Sequence, residues 1–169
     1  LSVASVTTAR GPAWQVRHPG SKDTWLSASG EPHRPPDEIA VRVFAQSLYK
    51  GAGRLVAVMR IAEPPRRLGI VRETAGRADL WVARFDDTLA TRIYVDARTG
   101  QFVAARNEAW VLYDFFWRLH VMDYGDGEDF NNPLLRAAVL GATALVLTGV
   151  LLLALSLRRR RRHQALQAG

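Results

Sequence analysis

Cysteine is absent from this sequence of 169 residues, so neither a disulfide framework nor a thiolate site for zinc or an iron–sulfur cluster can form. Stability has to come from burial. Catalytic signatures are missing too: there is no H-E-x-x-H, no glycine-rich phosphate loop, no pair of histidines at ligand spacing and no nucleophile–base pairing by motif. The first residues, LSVASVTTARG from Leu1, lack a basic n-region and a long apolar h-region, so no intact signal peptide stands there. The expectation that follows is a segment removed upstream of Leu1. Positive charge is also scarcer than it looks. The formal net charge is +7, but five of those charges are the run Arg158, Arg159, Arg160, Arg161 and Arg162, which leaves +2 for everything else. Nucleic acid is therefore a poor fit as a partner.

What is present begins with hydrophobicity. Residues of the hydrophobic class make up 48% of the chain, the range of globular or membrane-attached proteins. Between Ala137 and Leu157 the sequence reads AAVLGATALVLTGVLLLALSL, without charge or proline. At about 1.5 Å per residue this reaches roughly 31 Å, enough to cross a hydrocarbon core of roughly 30 Å. A buried helix of a soluble bundle would show a polar stripe every three or four residues, and VLLLALSL has none. The arginine run follows the span, and DYGDGEDFNN precedes it. Basic clusters are retained on the cytoplasmic side and contact anionic headgroups. The sequence thus predicts a cell-membrane protein, the bacterial inner membrane being the natural setting, with residues 158–169 as a basic cytoplasmic tail and the bulk of the chain outside the cytoplasm.

The outer part reads as α+β. PPDEIAVRVFAQSLYKGAG starts with prolines and acids and ends at glycine, with Ile39, Val43, Phe44 and Leu48 spaced for one helical face. After it come RLVAVMRIA, RLGIVRE, DLWVARFDD, TRIYVDA and QFVAARN, short segments rich in β-branched and aromatic residues and separated by turn signals. These predict antiparallel strands with the helix laid across one face. Upstream, AWQVRHPGSKDTWLSASGE predicts a hairpin turning at HPGSKD. His18 and His33 fall in proline-containing turn segments and read as solvated loop residues. In YVDARTGQ, Asp96 and Gly100 fit a turn in which glycine takes positive φ.

The helix ending in AQSLYKGAG, the following strand, YVDARTGQ, and the block LYDFFWRLHVMDY followed by FNNPLL before a span together resemble the PepSY-associated transmembrane family. The likeness covers most of residues 35–157, with Ala97 where that family often has proline. It implies a small extracytoplasmic α+β module that binds or modulates partners, peptidase inhibition being one such role. It also implies a kinship with iron-uptake and ferric-siderophore reductase proteins that hold haem with histidines on several spans, whereas this chain has one span with no histidine inside it. In that family another hydrophobic helix usually precedes the module, so a partner membrane protein or a missing N-terminal helix is expected. The resulting division is 1–34, N-terminal hairpin and linker; 35–106, PepSY-like domain; 107–132, aromatic interfacial helix and acidic turn; 133–157, transmembrane helix; and then the tail.

Within 107–132, a helix is predicted from an Asn107 cap. Its rings, Trp110, Tyr113, Phe116 and Trp117, with Tyr124 after it, have the apolar bodies and polar tips that suit the headgroup layer, so the lipid bilayer is the first partner expected. His120 admits three readings: a structural histidine bonded to the acidic turn, a haem ligand oriented by Asp123 or Asp126, or a ligand of another metal. Asp123, Asp126, Glu128 and Asp129 do not have the spacing of a calcium loop. They read instead as a turn that ends in an Asn131 or Asn132 cap with Pro133 at the first helical position. Taken together these features predict a membrane-anchored module without catalytic or metal-ligating residues, with no cofactor other than the haem that His120 would hold in the electron-transfer alternative.

Overall fold

The computed structural model describes residues 1–122 and 132–167, with side chains up to Arg159 in the last helix. The chain divides into two compact units, residues 1–118 and 119–169, and the class is α+β, as expected. In the first unit β1 (Ser2–Thr8), β2 (Gly11–Arg17) and β3 (Thr24–Ser27) form an antiparallel sheet in the order β1-β2-β3. The hairpin turning at residues 18–23 is the expected one. β1 had no clear sequence signal, because its serines, alanine and threonines carry little apolar alternation and most of the strand is exposed.

Helix α1 (Glu38–Leu48) begins where Asp37 accepts the Ala40 N–H at 2.9 Å. This bond holds the Asp37 carboxyl below its usual range, with the Arg10 guanidinium at 2.8 Å adding to the effect. The helix lies on a second antiparallel sheet, β4 (Leu55–Ile61), β5 (Leu80–Phe85), β6 (Arg92–Asp96) and β7 (Phe102–Arg106), in sequence order. The face that α1 buries is the expected one only in part. Val41 and Ala45 are fully buried against Ala83, Phe85, Ile93 and Val95, whereas Ile39 and Val43 point outward. Of the expected stripe, Phe44 is half-buried and packs against this core beside Val41 and Ala45, and Leu48 is exposed. Tyr49 stacks on Phe85 with ring centroids 3.9 Å apart.

RLGIVRE was expected to be a strand and is not one. Arg67 and Val71 exchange both backbone hydrogen bonds at 2.9 Å around a turn at Leu68 and Gly69, both at positive φ, within the loop that joins β4 to β5. Asp79 donates its N–H to Ala62 at 2.6 Å and closes the neck of that loop. A strand here would have needed a flat Gly69, and it would have carried Glu73 away from the charges described below.

The two sheets meet at the β6–β7 turn. Asp96 accepts from Arg98 N, Thr99 N and Thr99 Oγ1 at 2.7–3.0 Å, and Gly100 sits at φ 74. Ala9 donates its N–H to Gly100 at 2.8 Å, and a Cβ on Gly100 would stand 3.2 Å from that nitrogen. Gly100→Ala therefore faces both a left-handed backbone and a close approach, and is expected to cost about 1–3 kcal/mol, read as a lower midpoint in denaturant unfolding. His33 serves the same junction. It is half-buried, and its Nε2–H donates to the Thr99 carbonyl at 2.8 Å, so it is a structural tie rather than a solvated loop residue. His18 is exposed, as expected.

Helix α2 (Glu108–Val121) starts where Asn107 Oδ1 accepts the Trp110 N–H at 2.8 Å. In the second unit α3 (Pro133–Gln167) starts where Asn132 Oδ1 accepts the Leu135 N–H at 2.8 Å, so Asn132 is the cap and Pro133 the first helical residue. Its Pro133–Arg159 stretch is 27 residues long, reaches a mean hydropathy of 2.5, and is long and apolar enough to cross a membrane. The helix continues through the arginine run, since arginine is a good helix former and no glycine or proline stands between Arg158 and Gln167.

Candidate functional site

Two regions of the first unit carry chemistry, and both depend on how β6 and β7 place polar groups. Strand alternation puts Arg84, Arg92 and Arg106 on the face of the second sheet away from α1. The register sets Arg84 directly opposite Arg92, and Arg92 directly opposite Arg106. Three like charges abreast repel one another. In the adjacent row Val82 faces Tyr94, and Tyr94 faces Ala104, forming with Leu80 and Ile61 a second apolar cluster.

The β4–β5 loop delivers the compensating charge. Glu73 is buried and accepts from Arg92 Nε at 3.1 Å, from Arg92 Nη2 at 2.5 Å and from the Tyr94 hydroxyl. Arg92 Nη1 donates to Glu108 at 2.7 Å, and Arg67 Nη2 donates to both Glu108 oxygens at 2.8 and 2.9 Å. Burial works against ionisation of Glu108, but the hydrogen bonds and charge of Arg92, then of Arg67, hold its carboxyl below the usual range. Burial pushes the Tyr94 phenol well above its ordinary value, and the Glu73 carboxylate adds to that. Arg106 donates to the carbonyls of Glu73 and Ala105 at 3.0 Å, and its guanidinium carbon lies 4.0 Å from the centroid of the Trp110 ring. With Glu73 engaged by three donors and Tyr94 held protonated, this network is built to hold a loop on a sheet rather than to move a proton.

Beside the network lies a cleft of about 210 Å³ with Met59, Ile61, Pro65 and Val82 among its apolar lining and Arg67 and Arg84 among its polar lining. Arg84 is exposed, and its side chain makes no hydrogen bond or ion pair among the described residues.

The second region is α2, whose polarity is inverted for a surface helix. Arg118 Nε and Asp114 Oδ2 pair at 2.5 Å with side chains only 5% and 16% exposed, and Val111 and Val121 are buried. Tyr113 and Phe116, in contrast, are 65% and 64% exposed, and Leu112, Trp117 and Leu119 are exposed with them. The Tyr113 and Trp117 rings run nearly parallel, 9° apart in plane, with centroids 6.5 Å apart. Of the rings expected at an interface, Tyr113, Phe116 and Trp117 are therefore exposed. Trp110 is half-buried with the Arg106 guanidinium over its ring, and Tyr124 lies outside the described residues.

His120 is exposed in the last turn of α2. Among the described residues no group of three or more His, Cys, Asp or Glu side chains is placed to hold a metal ion. The acids expected beside His120, Asp123, Asp126, Glu128 and Asp129, and the alternative cap Asn131, lie outside the described residues, as do the side chains of Arg160, Arg161 and Arg162. Sequence reasoning missed the arginine row. Its only trace was one arginine in each of three neighbouring strand segments, which means nothing until the register is known. No family model, no curated protein and no solved structure matches the chain.

Proposed function

We propose that this protein is a membrane-anchored, extracytoplasmic binding or regulatory module of the PepSY type without catalytic activity of its own. The observation that carries the reading is the inverted helix α2, which turns Leu112, Tyr113 and Phe116 outward while burying its Asp114–Arg118 pair. An apolar face of this kind belongs against lipid or a membrane partner. In the sequence it is followed, after residues 122–132, by a helix fit to cross a bilayer. The engaged state of Glu73 and Tyr94 supports a binding rather than a catalytic role. The arginine run after the span supports a cytoplasmic C-terminus, with the larger unit on the other side, in the inner membrane of a bacterium.

The topology is tested with cysteines introduced singly into this cysteine-free chain. Ser29→Cys, on the exposed turn after β3, is expected to react with an impermeant thiol reagent added outside intact cells, and Gln167→Cys is not. The reverse labelling pattern refutes the orientation. An absorption spectrum of the full-length protein purified from its own membrane tests the non-catalytic reading. A Soret band lost in His120→Ala would replace that reading with an electron-transfer role.

A further inference from the structure

The arginine row is incompletely neutralised. Arg67, Arg84, Arg92 and Glu73 line the cleft, with Arg106 opposite Arg92 in the row and Glu108 bonded to Arg67 and Arg92. Both carboxylates are spent on Arg92 and Arg67, and Arg106 is satisfied by two carbonyls and the Trp110 ring. Arg84 is left directly opposite Arg92, without a described partner, its Cβ about 4.5–5.5 Å from that of a like-charged neighbour. Packing gives no reason to place a cation there, and neither does the apolar lining of Met59, Ile61 and Val82 beside it.

We propose that this cleft binds an apolar group through its terminal carboxylate, with Arg84 as the principal anchor and Arg67 beside it. A guanidinium fork matches a carboxylate with two parallel hydrogen bonds. A single carboxylate suits the fork of Arg84, the member of the row whose side chain has no described hydrogen bond, whereas a phosphate dianion would bring a second negative charge towards the Glu73 carboxylate that also lines the cleft. Met59, Ile61, Pro65 and Val82 give the ligand's apolar part a surface to cover. At about 210 Å³ the space is smaller than the roughly 300–1,000 Å³ of a pocket for a drug-sized ligand, so it suits a single side chain with its carboxylate. The loop that forms the far wall is held in place at a conformational cost. Leu68, Ala75 and Asp79 all have positive φ, and Arg60 clamps Asp79 at 2.7 and 2.9 Å.

Two sources present this chemistry: a free small carboxylic acid and the C-terminal residue of a peptide. They are separated by titrating the full-length protein in nanodiscs, by calorimetry, with N-acetyl-leucine, N-acetyl-Ala-Ala-Leu and the C-terminal amide of each. Both acids are expected to bind at least tenfold more tightly than their amides. Arg84→Gln is expected to lose that preference and at least tenfold in affinity for the acids, with an unchanged unfolding temperature because the Arg84 side chain makes no described hydrogen bond or ion pair. A tripeptide bound more tightly than N-acetyl-leucine assigns the site to peptide termini, and equal affinities assign it to free acids. No binding of either acid up to roughly 10 mM, equal binding of acids and amides, an unaffected Arg84→Gln, or tighter binding of inorganic phosphate each overturns the proposal. The inference rests on the binding-module reading. Its failure in a haem-free, membrane-retained protein refutes the ligand alone, whereas a His120-dependent Soret band refutes the module.

Discussion

Glu73→Ala is expected to destabilise the first unit by about 3–5 kcal/mol, because it leaves the buried Arg92 guanidinium without its principal counter-charge and the Tyr94 hydroxyl without its acceptor. Against a total stability of about 5–15 kcal/mol this takes a fifth or more of the margin, and it would appear as a large drop in unfolding midpoint for the full chain in detergent. The effect belongs to the unpaired charge rather than to the pair as such. Glu73→Leu combined with Arg92→Met is therefore expected to recover most of the loss, since well-packed apolar residues commonly replace a buried ion pair at little cost. A double variant no better than Glu73→Ala would show that the carboxylate is needed for the shape of the β4–β5 loop and not for charge balance. The same site predicts an alkaline limit. Tyr94 keeps its proton in the folded state at pH values where the unfolded phenol, with a pKa of about 10, has lost it. Its contribution is complete below about pH 10 and declines as pH rises above that value. Tyr94→Phe is expected to flatten this decline, measured as unfolding midpoint against pH between about 9 and 11.

Which features were legible beforehand follows the distance over which each is decided. The caps at Asn107 and Asn132 and the Asp96–Gly100 turn rest on hydrogen bonds between residues two to four apart, so the local sequence names their residues directly. The span is legible because hydropathy needs no partner to be read. Pairing across strands is different. Arg84, Arg92 and Arg106 become neighbours only through two registers, with a bulge between Tyr94 and Val95 that shifts one of them, and no local pattern announces such a shift. RLGIVRE has the composition of a strand, but its fate is decided by the need to bring Glu73 to Arg92, a contact 19 residues away in sequence. For α1 the local spacing picked out Phe44, which packs on the core, but not Val41 and Ala45, which only their contact with the sheet identifies. The open rings of α2 were legible as residues but not as a face. Sequence spacing grouped Trp110 with Trp117, and only the placement of Arg106 over the Trp110 ring separates them.

That separation decides how the proposed membrane role of α2 should be tested. Trp110 is committed to Arg106, so its removal would disturb the domain as well as any interface. Leu112, Tyr113, Phe116 and Leu119 are exposed and lie within two turns of one another, so they can be changed with little effect on the buried Val111 and the Asp114–Arg118 pair. Each is already partly exposed, so lipid contact would gain about half of the roughly 1.5–3 kcal/mol of full burial. Serine at all four positions is expected to remove on the order of 4 kcal/mol of interfacial attachment while α3 keeps the protein in the membrane fraction. Trp117, stacked on Tyr113 at the edge of this face, is a built-in reporter. In proteoliposomes, brominated lipids are expected to quench part of the tryptophan fluorescence, that part being the signal lost in Trp117→Phe, and the four-serine variant is expected to escape quenching. If quenching is absent in the unaltered protein, the face is covered by a protein partner and not by lipid. In that case the four serines would weaken association with that partner and leave the fluorescence in lipid unchanged.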